Sequence, residues 1–151
     1  MKVGIIVYSQ TGNTMSVAQK LEQAIISAGH TASILRVESV GEGASIQLKS
    51  APDVIPFDTI VFASPVQAFS LAPVMKLYLS QISSLADKKV YCFVTQQLKK
   101  AWFGGNHALR QIASACKLKG TTVLWSGGVN WSASTRETQI ETIVKTISSN
   151  I

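Results

Sequence analysis

The chain has 151 residues, of which 46% are apolar, and a formal net charge of +6, which suits one compact domain spanning residues 1–151. No apolar stretch approaches the roughly 20 residues that a membrane span needs, and the first residues lack a signal peptide's order of regions, so we predict a cytoplasmic protein without a membrane span. Residues 88–119 contain seven Lys and Arg and no acidic residue, but no dense basic run, which argues against nucleic acid as a partner.

Five apolar runs rich in Val and Ile predict the strands of an α/β fold. They cover residues 3–8, 32–37, 59–63, 90–95 and 122–125. Several are apolar at consecutive positions, as expected for a parallel sheet that helices cover on both faces. Cys92 and Cys116 match no metal-ligand spacing and lie in apolar surroundings, so we interpret them as reduced core residues.

Between the strands, apolar residues recur at three- and four-residue steps, which predicts helices. The first helix runs from Val17 to a stop at Gly29, and the second follows Pro73 with an apolar stripe that reaches Leu85. The third ends before Gly120.

Two further helix predictions depend on local signals. The capping-box spacing of Ser134 and Glu137 predicts the start of the last helix. The segment 38–53 is interrupted by glycine and proline, and only a short helix over residues 45–49 is predicted there.

The loop after the first predicted strand has the composition of an anion site. It consists of Ser9, Gln10, Thr11, Gly12, Asn13 and Thr14. Three hydroxyl groups, a glycine that permits close approach and the start of a helix suit a phosphate at the carboxyl end of a strand. Because the loop has no Lys or Arg, it favours a bound cofactor over phosphoryl transfer. A turn that merely caps the helix through Thr14 is the alternative without a function.

This loop, with Val7 and Tyr8 before it and Val17 and Ala18 after it, resembles the phosphate loop of the flavodoxin family. The family's core motif is [ST]-x-T-G-N-T after an apolar strand. The resemblance implies a flavodoxin-like α/β fold of three layers, with five parallel strands in the order 2-1-3-4-5. It also implies FMN as the cofactor, with its phosphate bound by residues 9–14.

The resemblance places the flavin ring between two further loops. The first contains Ser64, Pro65, Val66, Gln67, Ala68 and Phe69, and Phe69 is a candidate to stack on the ring. The second follows the fourth strand and supplies Thr95 and Gln96 for the pyrimidine edge, Trp102 or Phe103 for the opposite face, and Gly104 beside them. Each aromatic residue has packing within its own domain as an alternative.

The family implies a small electron carrier that passes one or two electrons between redox partner proteins. The basic net charge favours partners with an acidic docking surface, and Lys99 and Lys100 are predicted to lie near the flavin edge. Two alternatives stay open. One is an FMN-dependent reductase of NAD(P)H or quinones, and the other is a flavodoxin-fold binding domain without cofactor. Trp125 and Trp131 are assigned to core packing.

Overall fold

The computed structural model describes residues 1–97 and 103–151, the latter range without the side chain of Phe103. Trp102, Lys99 and Lys100, which the sequence analysis assigns to the flavin site, lie outside the described residues. The strands and helices of the described residues are β1 Lys2–Val7, α1 Asn13–Ser27, β2 Thr31–Arg36, β3 Glu38–Val40, β4 Gln47–Ser50, β5 Thr59–Gln67, β6 Ser70–Leu71, α2 Pro73–Gln81, β7 Lys89–Gln96, α3 Phe103–Leu118, β8 Val123–Asn130 and α4 Arg136–Asn150.

Five strands form a parallel sheet in the order β2-β1-β5-β7-β8. These are the five predicted strands, so the predicted order 2-1-3-4-5 is confirmed. The sheet also carries β6, antiparallel to β5, while β3 and β4 form a separate hairpin; neither feature was predicted. Val7 lies opposite Ala63, and Pro65 lies opposite Thr95. The ends of β1, β5 and β7 therefore meet at one edge, which we call the carboxyl edge.

Two apolar clusters, one on each face of the sheet, form the core. Phe62 of β5 packs with α2 and α3 on one face, and its neighbour Val61 packs with α1 and α4 on the other, because consecutive strand side chains point to opposite faces. Cys92 and Cys116 are free and buried in the first cluster, as predicted. Burial raises the pKa of the Cys116 thiol to about 12.

The predicted helix over residues 45–49 is wrong. Gly43–Ser45 forms a single 3-10 turn, and Gln47–Ser50 is the strand β4. Gly41, with φ of +85°, occupies the left-handed conformation between the hairpin strands, and Leu48 packs against the core. A four-residue strand presents too few positions for its period of two to be recognised.

Two strands are longer than predicted. β5 continues through Pro65 to Gln67, so residues 64–67 are strand and not loop. β8 continues to Asn130 through Gly127 and Gly128, which are usually read as strand breakers. Gly127 leaves room for the Trp125 ring, because a Cβ atom at this position would lie 2.5 Å from it.

Two helix bounds were also predicted incorrectly. α2 ends at Gln81, and Leu85 is buried in the loop that follows. α4 begins at Arg136 after Thr135, without a side-chain capping bond, and Glu137 instead pairs with Lys20. In the part of the chain that the structure covers, no helix is both long and apolar enough to cross a membrane.

Candidate functional site at the carboxyl edge

The loop of residues 9–14, which we call the first loop, presents a row of backbone donors. Gly12 has φ of +94° and stands immediately before α1. Ser9 Oγ accepts a hydrogen bond from Met15 N at 3.3 Å, but no N–H group of residues 10–14 donates to another described residue. A Cβ atom at Gly12 would meet nothing within 4 Å. Unpaired amides, an open approach and a helix N-terminus together form an arrangement that binds anions.

Thr14 and Thr95 join the first loop to the end of β7. Their hydroxyl oxygens lie 2.8 Å apart, and the two side chains are only 1% and 4% exposed. One hydroxyl group donates to the other, so the accepting group keeps a hydrogen that can be donated elsewhere. The bond fixes the start of α1 against the strand that bears Gln96.

A cavity of about 100 Å³ lies between the first loop and the ends of β5 and β7. It is lined by Gln10, Thr11, Asn13, Pro65, Val66, Gln67, Thr95, Gln96 and Gln97. None of these nine residues is charged. Gln67 Nε2 donates to Gln10 Oε1 at 2.6 Å, so a side-chain hydrogen bond links two walls of the cavity.

Gln96 is the least satisfied polar residue of this cavity. Its side chain is 6% exposed, and its Nε2 atom is buried with no hydrogen-bond partner among residues 1–97 and 103–151. Leaving a buried amide donor unpaired costs its desolvation free energy, about 1–3 kcal/mol. A molecule that enters the cavity with an acceptor atom would recover that cost.

The turn of Ala68 and Phe69 between β5 and β6, called the β5–β6 turn, is strained. Its two residues have φ of 49° and 60°, in the left-handed region that non-glycine residues rarely adopt. The Phe69 side chain is 64% exposed, so its own packing does not offset the strain. The start of α3 secures the turn, because Gly104 packs so closely on it that a Cβ atom there would lie 2.9 Å from Phe69 Cα.

A second contact from α3 secures β6. Gln111 Oε1 accepts hydrogen bonds from Ser70 Oγ at 3.0 Å and from Leu71 N at 2.8 Å. The strained turn is therefore clamped on both sides of its exposed aromatic side chain, which is the pattern expected where strain serves a function.

The segment after β8 is also part of this edge, which was not predicted from the sequence. Trp131 N donates to Gln96 O at 2.7 Å, and Ser132 Oγ donates to Gln97 O. The Arg136 guanidinium lies 5.0 Å from the centre of the Trp131 ring and donates to Trp131 O at 3.1 Å. Trp125 and Trp131 do pack against the core, as predicted, but Trp131 also contacts the Gln96 carbonyl through its N–H group and Arg136 through its ring and its carbonyl. The only sequence signal is an aromatic residue at the end of a strand.

The predicted site residues fall into several groups in the structure. Eight of them line the cavity: Gln10, Thr11, Asn13, Pro65, Val66, Gln67, Thr95 and Gln96. Ser64 is buried, and its Oγ donates to Pro65 O at 3.0 Å. Gly104 begins α3 against the β5–β6 turn. Trp102 and the side chain of Phe103 lie outside the described residues.

A larger cavity of about 370 Å³ lies away from this edge, beside the end of α2, and is lined in part by Pro52, Asp53 and Tyr78. Two of its polar side chains have partners in the chain: Tyr78 Oη donates to Pro52 O at 2.6 Å, and Asp53 Oδ1 accepts from Ile55 N. Its volume exceeds that of the cavity at the carboxyl edge. The unpaired donors favour the carboxyl edge.

Solved structures that resemble this chain are flavodoxins and related proteins. A two-electron reduced flavodoxin from Megasphaera elsdenii is 21% identical, with a TM-score of 0.73 over 97% of this chain and 98% of its own. A Fusobacterium nucleatum flavodoxin bound to flavin mononucleotide is 12% identical, with a TM-score of 0.69 over 99% and 98%. The Trp repressor binding protein from Bacillus subtilis is 13% identical, with a TM-score of 0.69 over 96% and 99%.

The chain therefore has the flavodoxin fold. No protein-family model matches its sequence, and no curated protein is similar enough in sequence to count as a relative.

Proposed function

We propose that this protein binds FMN at the carboxyl edge and carries electrons between redox partner proteins. The observation that carries the proposal is the meeting at one cavity of two sets of donors that have no partner among the described residues: the N–H groups of Gln10, Thr11 and Asn13, and Nε2 of Gln96. Its flavodoxin fold, with an FMN-bound flavodoxin among the similar structures, supports the choice of cofactor.

The dimensions of the site fit one part of FMN well. The cavity of about 100 Å³ is below the roughly 300 Å³ of pockets that enclose whole ligands. It suits the phosphate and the chain attached to it, while the ring would lie outside, beside Phe69. The N–H groups of residues 10–14, the Thr11 hydroxyl and the positive end of α1 would hold the phosphate without a cationic side chain.

Bound FMN would supply the one- and two-electron chemistry. The residues of the chain would bind and orient it, and none of the nine described lining residues titrates near neutral pH. A carrier needs no catalytic acid or base, so this neutral lining suits a carrier. Phe69, clamped by α3, would offer a rigid aromatic surface to the ring.

We also propose that the partner has an acidic docking surface. The sequence has no Asp or Glu in residues 59–86 or 88–136, which supply β5, the β5–β6 turn and most of the segment after β8. Arg136 adds a positive charge at this edge, although Glu137 lies 3.6 Å from it. Association with an acidic partner should weaken as salt rises, and a rate of electron transfer that is independent of salt would remove this part of the proposal.

Two measurements on the purified full chain test the function. A yellow preparation with flavin absorption, or a flavin-free preparation that takes up FMN, is expected; a chain that binds no flavin would be a binding domain without cofactor. Rapid mixing with NADPH and NADH then separates carrier from reductase. A carrier stays oxidised on that timescale, whereas immediate bleaching would favour the NAD(P)H or quinone reductase. A cytoplasmic location stays a prediction from the sequence.

A further inference from the structure

The edge of the sheet opposite the candidate site is where β1, β5 and β7 begin, and we call it the amino edge. Four lysines of the basic segment 88–119 lie there: Lys88 and Lys89 at the start of β7, and Lys117 and Lys119 around the end of α3. Thr121 Oγ1 donates to Lys88 O at 2.9 Å, which holds the chain after α3 beside the start of β7. The electron-carrier function proposed above leaves this concentration of charge without a role.

The two most exposed large apolar side chains of the described residues also lie at the amino edge. Leu118, the last residue of α3, is 86% exposed, and Ile55, shortly before β5, is 77% exposed. Lys88 Nζ donates to Ile55 O at 3.3 Å, and Lys119 Nζ donates to Ser80 O at 3.0 Å. Each exposed apolar side chain is therefore next to a lysine.

Side chains of both signs lie at the amino edge, and the lysines outnumber the acidic residues. The lysines are Lys2, Lys88, Lys89, Lys117 and Lys119, and the acidic residues are Asp53, Asp58 and Asp87. No ion pair among residues 1–97 and 103–151 neutralises any of these lysines. Exposed positive charge that the chain does not neutralise favours contact with an anionic surface.

We propose that the amino edge is a peripheral binding surface for anionic lipid membranes. Leu118 and Ile55 enter the headgroup region, while the ammonium groups of the surrounding lysines lie beside lipid phosphates and their apolar stems follow the two side chains. The carboxyl edge, at the other end of the strands, then faces away from the membrane. The proposal does not depend on flavin binding.

The arrangement of the apolar side chains favours a bilayer over a protein partner. The centre of a protein interface is a contiguous area from which charged side chains are depleted. At the amino edge, by contrast, Leu118 and Ile55 project separately among lysines. Apolar side chains with lysines beside them are the combination that binds at the boundary between headgroups and acyl chains.

The test measures sedimentation of the full chain with lipid vesicles at low ionic strength, as a function of lipid concentration. One set of vesicles contains phosphatidylcholine alone, and the other contains an equimolar mixture of phosphatidylcholine and phosphatidylglycerol. We expect the chain to bind the anionic vesicles only, and to bind them more weakly as salt rises. Binding to neither set, or equal binding to both, would overturn the proposal.

Two variants locate the surface, each with a matched control. Lys117→Gln should weaken binding to the anionic vesicles roughly fivefold, whereas Lys76→Gln, which removes the same charge from the first turn of α2, should have little effect. Leu118→Gln should weaken binding roughly three- to tenfold, whereas Phe69→Gln at the carboxyl edge should not. All four residues are exposed, so Tm should change little in each variant.

Three results with these variants would overturn the proposal. Equal losses in Lys117→Gln and Lys76→Gln would mean that net charge alone drives binding. A larger loss in Phe69→Gln than in Leu118→Gln would place the contact at the carboxyl edge. Failure to bind vesicles, together with self-association in analytical ultracentrifugation that Leu118→Gln abolishes, would assign the surface to a second copy of the chain. Vesicle binding is measured without flavin, so its result is independent of whether the chain binds FMN.

Discussion

Gly12 and Phe69 lie at the same edge of the sheet, and both adopt the left-handed conformation, with φ of +94° and +60°. At Gly12 the conformation costs little, because glycine has no Cβ atom. At Phe69, and at Ala68 before it, the same conformation is strained. Glycine at position 12 therefore suits the geometry of the first loop, whereas Ala68 and Phe69 do not suit the geometry of the β5–β6 turn.

The difference follows from what each segment offers to a ligand. The first loop presents backbone N–H groups to a ligand, and a side chain at Gly12 would only hinder the ligand's approach to them. The β5–β6 turn offers a side chain, so glycine would remove the strain and the aromatic surface together. Contacts from Gly104 and Gln111 of α3 hold the turn in place.

The largest expected effect comes from Gly12→Ala. Losing one hydrogen bond to a charged phosphate costs about 1.5–3 kcal/mol, so FMN affinity should fall by roughly 10- to 100-fold. Gly29→Ala is the matched control, because Gly29 has φ of +93° and equally open surroundings but follows the C-cap residue of α1. Both variants should lose similar stability in thermal unfolding. Equal FMN affinity in the two variants would contradict a phosphate-binding role for the first loop.

The second largest expected effect concerns the close contact between Gly104 and the β5–β6 turn. Gly104→Ala would place a Cβ atom 2.9 Å from both Phe69 Cα and Val66 Cγ1, which should lower the free energy of unfolding by about 1–2 kcal/mol. Helix propensity alone predicts the opposite sign, a gain of up to about 1 kcal/mol. Denaturant unfolding therefore distinguishes the two expectations by the sign of the change in the free energy of unfolding. Asn106→Ala, on the exposed surface of α3, is the control.

Replacing the residues of the strained turn should separate stability from binding. Ala68→Gly and Phe69→Gly each remove a strained left-handed residue and should raise the free energy of unfolding by about 1 kcal/mol. Only Phe69→Gly should weaken FMN binding, by roughly three- to tenfold if the ring stacks on Phe69. If Phe69→Gly binds FMN as tightly as Ala68→Gly does, Phe69 has no role toward the flavin.

The smallest expected effect concerns the bond between Gln10 and Gln67, which links the two regions. Breaking it should change stability by no more than about 0.5 kcal/mol, because Gln10 is exposed. Gln10→Ala and Gln67→Ala should each speed FMN association by roughly two- to threefold, because FMN can then enter the cavity without this hydrogen bond opening first. Stopped-flow fluorescence measures this rate. Association as slow as in wild type would show that the bond does not restrict entry.

The order of the sheet and the position of the first loop were predictable from the sequence because their signals are local. Apolar runs mark buried parallel strands, and Gly12 with its hydroxyl neighbours marks a turn before a helix. The contacts that complete the site are not local. Thr14 meets Thr95, and Gln10 meets Gln67, only after β1, β5 and β7 align.

The segment of residues 64–70 shows why the ring side was harder to predict. The resemblance placed a loop at Ser64 to Phe69, yet β5 runs through Pro65 to Gln67 and turns back at two residues poorly suited to the turn. Their conformation is set by Gly104 and Gln111, more than 30 residues away in sequence, and no local propensity reports such a contact. Arg136 likewise lies at this edge because it contacts Trp131. Trp131 was predicted to be a core residue, so its contact with Arg136 was not expected.

Phosphate binding by the first loop is tested by comparing the affinities of wild-type protein for FMN and riboflavin, with inorganic phosphate as a competitor. If the first loop binds the phosphate, FMN should bind at least about 100-fold more tightly than riboflavin, equivalent to two or more charge-assisted hydrogen bonds. Phosphate should then weaken only the apparent affinity for FMN. Equal affinities for the two flavins, unaffected by phosphate, would contradict the account.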